Sequence, residues 1–269
     1  MTSSAPALRV PAIRLYVGDP LAAGAVATFD RAQAHYLRNV MRAKAGDDVL
    51  LFNGRDGEWR ATVGELGKAG GTARAVARTR PQQASPDLWL LFAPIKSGRI
   101  EFLVEKATEL GVSLLAPVLT ERAVVRRVNE ARLRAHAVEA AEQSGRLDVP
   151  ALRPAQTLEA ALANWPAGRP LFVCDESGHG VPIGRALPDR RKRPGAVLIG
   201  PEGGFAPGEL DALAKLAFVT RVGLGPRVLR AETAALAALA CWQALAGDWG
   251  DGGPGLSPSA DSSLVADQP

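Results

Sequence analysis

The chain has 269 residues, 47% of them hydrophobic and 22% charged, which is ordinary globular usage and excludes a collagen-like or wholly disordered protein. At ~150 residues per domain this length suits two domains. The formal charge of +4 is uneven: residues 1 to 86 carry 12 Lys and Arg against 7 Asp and Glu, a basic excess that fits either a nucleic-acid-facing module or an Arg-rich solvated surface.

The two cysteines, Cys174 and Cys241, have no Cys-x-x-Cys spacing and give neither a disulfide framework nor a zinc site. Met1 to Val17 lacks the basic start and long apolar run of a secretory signal. The longest weakly polar run, Thr233 to Gly247, contains Gln243 and falls short of the ~20 residues that span a bilayer. No membrane association and a cytoplasmic location are the expectations.

In chain order, residues 11 to 80 read as short strands, at Ile13 to Val17, Asp48 to Phe52, Glu58 to Leu66 and Thr72 to Thr79, with turns such as Asn53-Gly54-Arg55-Asp56-Gly57 between them. Arg31 to Arg42 predicts a short basic helix with Tyr36, Leu37, Val40 and Met41 on one face and Arg38 and Arg42 on another. Pro81 to Pro86 is the linker. Beyond it strands alternate with helices: Leu88 to Ala93, helix Gly98 to Leu110, Val112 to Val118, helix Glu130 to Gln143 and helix Leu158 to Trp165. The series continues with Leu171 to Cys174, Ala196 to Ile199, helix Gly208 to Leu216, Val219 to Leu224 and helix Glu232 to Ala246. Repeated β-then-α with near-continuous apolar strands predicts an α/β fold with a parallel sheet covered on both faces.

Asn129 is placed as an N-cap, and Gly111 and Gly247 as left-handed helix ends. The last helix is apolar on nearly every face, so it packs inside its domain or against another subunit. The division expected is 1–84, 85–248 and a Gly-, Ser-, Pro- and Asp-rich disordered tail over 249–269.

Two strands run into glycine-rich turns that open helices, Leu198-Ile199-Gly200-Pro201-Glu202-Gly203-Gly204-Phe205 and Gly223-Leu224-Gly225-Pro226-Arg227-Val228-Leu229-Arg230-Ala231-Glu232-Thr233. In open α/β sheets ligands sit beyond the carboxyl ends of the strands, and glycines admit close backbone approach, so both loops should line one pocket. The third glycine of a dinucleotide fingerprint is missing, and no P-loop run exists. His35, His136 and His179 stand singly, which supports neither a metal site nor a catalytic triad. Cys174, ending an apolar strand, reads as core. Asp189 to Arg193 reads as a solvated basic loop, with RNA contact the alternative.

These loops, with R-L-Y-V at Arg14, H-Y-L-R-N-V-M-R at His35, K-S-G-R-I-E-F at Lys96, K-A-T-E-L-G-V at Lys106 and E-Q-S-G-R at Glu142, make the sequence resemble the ribosomal small subunit methyltransferase E family, of the SPOUT class, over about residues 9 to 247. The resemblance implies an N-terminal PUA-like β-barrel that grips RNA and a C-terminal SPOUT domain with a deep trefoil knot. It implies S-adenosylmethionine as methyl donor with no metal, a homodimer with the cofactor pocket beside the subunit interface, and methylation of N3 of a uridine in the decoding region of 16S rRNA in the 30S subunit. By resemblance Leu198, Gly200, Glu202, Gly203, Leu224, Gly225 and Leu229 hold the methyl donor. Arg14, Arg38, Arg42, Lys96 and Arg99, all at motif positions, are nominated for RNA.

Arg230 is the expected catalytic residue, placed to stabilise charge spreading onto the uracil carbonyls as N3 loses its proton. Glu232 either orients Arg230, accepts the proton or complements the helix dipole. Two competing readings are a related enzyme acting on a transfer-RNA ribose oxygen and a non-catalytic ribosome-assembly factor. The intact G-P-E-G-G and L-R-A-E-T elements weigh against the second.

Overall fold

The computed structural model describes residues 13–187 and 193–250. The expected tail therefore lies, from residue 251 on, outside the described residues, as do residues 189–192 of the basic loop. The elements in chain order begin with β1 (Arg14–Tyr16), β2 (Val26–Phe29), α1 (Arg31–His35), β3 (Asp48–Phe52), β4 (Glu58–Leu66) and β5 (Gly71–Arg80). There follow β6 (Leu88–Phe92), α2 (Arg99–Glu109), β7 (Leu114–Leu119), α3 (Glu130–Ser144), β8 (Ala151–Leu152), β9 (Gln156–Thr157) and α4 (Leu158–Ala163). The last are β10 (Leu171–Cys174), β11 (Val181–Pro182), α5 (Ile183–Ala186), β12 (Gly195–Ile199), α6 (Pro207–Ala214), β13 (Val219–Gly223) and α7 (Ala231–Leu245).

These elements gather into two compact units. One contains the described residues up to Ser85 with Lys96–Pro117 and Arg127–Ala155; the other contains Pro86–Ile95, Val118–Arg126 and the chain from Gln156. Compactness thus divides the chain differently from the Pro81 to Pro86 linker alone.

In the first unit the strands order β1-β3-β4-β5-β2, antiparallel except for the parallel pair β1 and β3. Alternation points Leu15, Phe29, Val49, Leu51, Ala61, Val63 and Ala73 inward to one core. Asp30 caps α1 by accepting from Gln33 N at 2.8 Å, while the Gln33 side chain accepts from Asp30 N at 3.2 Å. The helix then widens into a π-turn over Tyr36–Val40, and Arg42 follows with φ +55°. The wider turn breaks the 3.6-residue period, so Leu37 is buried while Val40, expected on the same face, is 61% exposed.

Helix α3 belongs to the first unit because β1 is hydrogen-bonded to its C-terminal turn. Arg14 Nη1 donates to the carbonyls of Ala141 and Glu142 at 3.1 and 2.8 Å, its Nη2 donates to Arg146 O at 2.8 Å, and Tyr16 N donates to the Glu142 carboxylate at 2.9 Å. Helix α3 starts as expected, with Asn129 accepting from Arg132 N.

In the second unit β11, β13, β10, β12 and β6 run side by side, every pair parallel. The inner strands are continuously apolar: in Leu171–Cys174 and Gly195–Ile199 each position is buried. Helix α7 lays Ala235, Ala238, Leu239 and Trp242 into this core, and the Trp242 ring lies 5.8 Å from that of Phe172. Gly111 has the expected left-handed φ of +81°. Gly247 does not: a side chain there would collide with Gln243, so close approach and not handedness selects glycine.

Candidate active site

Strands β10, β12 and β13 are neighbours and parallel, so their carboxyl ends lie together; Cys174 is in register with both Ile199 and Val222. Beyond them is a cavity of about 390 Å³. Gly200, Pro201 and Glu202 line it from the loop after β12, and Leu224 to Leu229 from the loop after β13. Of the residues assigned to the methyl donor, Gly200, Glu202, Leu224, Gly225 and Leu229 are in that lining. Leu198 is fully buried within β12, and Gly203 holds Arg122, whose Nη1 donates to the Gly203 carbonyl at 3.1 Å.

A third wall went unread in the sequence. Cys174, Asp175, Glu176, Gly178 and Gly180, following β10, also line the cavity. Its signal was present as a buried strand running into Asp-Glu-Ser-Gly-His-Gly, the same strand-then-glycine pattern as the other two. Asp175 fixes this loop: its carboxylate accepts from Ser177 N at 2.9 Å, from Ser177 Oγ at 2.8 Å and from Arg221 Nε at 2.9 Å. Burial works to raise the Asp175 pKa, but the hydrogen bonds from Ser177 and the Arg221 guanidinium outweigh it and hold the group below its ordinary value. Burial, with Cys241 nearby, pushes the Cys174 thiol up to about 12, so it stays protonated, in keeping with a core residue.

Arg230 is the N-cap residue of α7 and is exposed; Leu229 and Ala231, on either side of it, line the cavity. Glu232, half-buried, lies in the first turn of α7. Neither side chain is part of the lining. Among the nominated RNA contacts, Arg38 is half-buried and Arg42 exposed after the π-turn, Lys96 is exposed, and Arg99 opens α2. Arg14 is different: besides the three carbonyls it reaches, its Nε pairs with Glu58 at 2.8 Å and its guanidinium lies over the Phe52 ring. Its donors are occupied inside the first unit, so Arg14 braces β1 against α3 and is not a free cation for phosphate.

Comparison with known proteins bears on this arrangement. Residues 82–243 match the RNA methyltransferase domain family and residues 29–74 the RNA methyltransferase PUA domain family. The ribosomal RNA small subunit methyltransferase E of Rickettsia conorii is 32% identical over 84% of this chain and 93% of its own length. The chain belongs to the ribosomal RNA small subunit methyltransferase E family. As a member it is an RNA methyltransferase enzyme of the α/β, SPOUT-like type with a PUA domain.

Further family members agree. The methyltransferase E of Mycobacterium tuberculosis is 31% identical over 88% of this chain and 94% of its own. The crystal structure of the Neisseria gonorrhoeae family member bound to S-adenosylmethionine superposes with a TM-score of 0.80 at 29% identity, covering 88% of this chain and 99% of that one. A Legionella pneumophila methyltransferase in complex with the same cofactor gives 0.78, with 88% and 98% covered. Among the described residues no group of three or more His, Cys, Asp or Glu side chains is arranged to hold a metal, and no helix is long and apolar enough to cross a membrane.

Proposed function

We propose that this chain transfers a methyl group from S-adenosylmethionine to N3 of a uridine in the decoding region of 16S rRNA, acting on the small ribosomal subunit in the cytoplasm. The observation that carries the reading is the meeting of three glycine-bearing loops in one cavity at the carboxyl ends of β10, β12 and β13, in a member of this family. About 390 Å³ lies within the ~300–1,000 Å³ of small-molecule and cofactor sites, and glycines 178, 180, 200 and 225 let backbone line the ligand closely. The residues present therefore fit the cofactor. Gly200, Glu202, Leu224, Gly225 and Leu229 would hold it, with Leu198 and Gly203 shaping the loop from behind.

S-adenosylmethionine, when bound, supplies a methyl group already made electrophilic by its sulfonium. The chain's task is alignment and charge control. Arg230, exposed at the start of α7 between two cavity residues, is the group assigned to offset the negative charge spreading over the uracil carbonyls. Glu232, two residues on, orients that guanidinium or takes the N3 proton.

The PUA match at 29–74 and the methyltransferase match at 82–243 support a division at residues 1–84 and 85–248 by role, with RNA grip assigned to Arg38, Arg42, Lys96 and Arg99. A homodimer accords with α7: Leu236, Ala237, Ala240 and Cys241 are only half-buried and Leu245 is 42% exposed, an apolar row left beside the helix's packed face.

The test is methyl transfer from labelled S-adenosylmethionine to 30S subunits lacking the modification, followed by mass spectrometry of nucleosides from the digested 16S rRNA. 3-Methyluridine in the product, absent with Arg230→Ala, is the expected result. A ribose-methylated nucleoside, or transfer only to another RNA, would overturn the assignment.

A further inference from the structure

The loop after β10 has a feature that cofactor-sized space alone does not require. Its first residue, Asp175, is locked by Ser177 and by Arg221 of the neighbouring strand β13, so the next residue, Glu176, is delivered to the cavity on a fixed backbone. On its other side the Glu176 carboxylate lies over Gly204, a buried glycine with φ +66° in the loop after β12. A side chain at position 204 would occupy the place of that carboxylate. Two of the three loops thus leave room for one acid, exposed and carried on a fixed backbone, at the cavity wall. Arg227, from the third loop, lines the same cavity and gives it a basic group as well.

A carboxylate and a guanidinium lining one cavity offer opposite charges to the ammonium and carboxylate of a zwitterionic amino-acid end, a pairing worth more than a neutral hydroxyl contact to the same carboxylate. We propose that Glu176 recognises the positive charge of the methyl donor's methionyl portion, its ammonium or its sulfonium, and so makes the cavity select the amino-acid-bearing nucleoside over the bare thionucleoside. The inference rests on the S-adenosylmethionine reading above. It adds a specificity-determining residue that the two signature loops do not contain.

Binding of three ligands to Glu176→Gln and to the unaltered protein separates the possibilities, measured by calorimetry without RNA. S-adenosylmethionine carries both positive groups, S-adenosylhomocysteine keeps only the ammonium, and 5′-methylthioadenosine has neither. With Glu176→Gln, affinity for S-adenosylmethionine should fall about tenfold, the scale of one charge-assisted contact, while that for 5′-methylthioadenosine stays unchanged. A parallel fall for S-adenosylhomocysteine assigns the contact to the ammonium; a fall confined to S-adenosylmethionine assigns it to the sulfonium. The loss should shrink as salt is raised.

Gly204→Ala, which displaces the carboxylate without removing it, should reproduce the pattern, and retained binding of 5′-methylthioadenosine shows that the cavity is intact. Equal weakening of all three ligands, or no weakening, overturns the proposal. Failure of the unaltered protein to bind any of them would overturn the cofactor reading instead.

Discussion

Asp175 and Arg221 join two neighbouring parallel strands at the mouth of the cavity: Arg221 Nε donates to Asp175 Oδ2 at 2.9 Å, and Nη2 reaches the same oxygen. The Asp175 side chain is 1% exposed and that of Arg221 27%. Arg221→Ala strands a buried carboxylate, and should cost about 1–3 kcal/mol in denaturant unfolding, the desolvation scale of one abandoned polar partner. Adding Asp175→Asn should recover part of that cost, which a double-mutant cycle reads directly. Two fully additive losses would show the pair to be uncoupled. Because the folded group titrates below its ordinary 3.8, the pair's contribution is present above that value and is lost as acid protonates Asp175.

Glu142 behaves in the opposite sense. Burial pushes its carboxyl up to about 7; the Tyr16 N–H and Arg14 oppose this, and the charge of Glu139 adds to it. A carboxyl raised in the folded state contributes stability that is complete below its unfolded value, 4.5, and is lost as pH rises through about 7. Glu142→Gln keeps an oxygen to accept from Tyr16 N and removes the titration. The melting temperature of the unaltered protein should therefore fall relative to that of Glu142→Gln between pH of about 5 and 8, with the variant the more stable at the alkaline end. Parallel curves would contradict this.

Arg230→Ala should abolish turnover while leaving S-adenosylmethionine binding within about twofold, because the side chain lies outside the cavity lining. Single-turnover methylation at saturating RNA and calorimetric titration of the cofactor check the two halves separately. A large loss of cofactor binding would place Arg230 in the cavity's support and not in the chemistry.

Replacing Arg38 and Arg42 together with Ala should weaken 16S rRNA binding and lower the slope of log affinity against log salt by about 1–2, leaving cofactor affinity unchanged. Arg14→Ala should act differently. It removes the Glu58 pair and three carbonyl contacts, so the loss should be seen first as a lower melting temperature. An altered salt slope for Arg14→Ala at unchanged stability would return it to the RNA face.

Local patterns were legible where one period dominated. Asp48–Phe52, Glu58–Leu66 and Leu171–Cys174 have the bounds that their apolar spacing predicts, and Asn129 caps the helix it precedes. Val26–Phe29 was missed because four residues with Ala27 and Phe29 inward give too short an alternation to stand out. Val40 left its expected face because a π-turn changes the period mid-helix.

The site divides likewise. The loops after β12 and β13 were found through their glycines, but the one after β10 was passed over because Cys174 read only as the end of a core strand. Arg14 shows the limit of counting charge: its partners are 44 to 132 positions away in sequence, and only the fold reveals that they occupy it.

The second unit's sheet also constrains how the protein is made. On one side its strand β6 is neighboured by β12, so there Leu88 must wait for Gly195, more than a hundred positions later, and β10 lies between β12 and β13. By contrast β3, β4 and β5 pair as consecutive hairpins. Loop closure over such separations is slow, and the β10, β12 and β13 portion of the sheet, which holds the cavity, cannot be completed until nearly the whole described chain has left the ribosome that synthesises it. The antiparallel β3, β4 and β5 of the PUA match can thus pair on a nascent chain well before the cavity at the ends of β10, β12 and β13 exists.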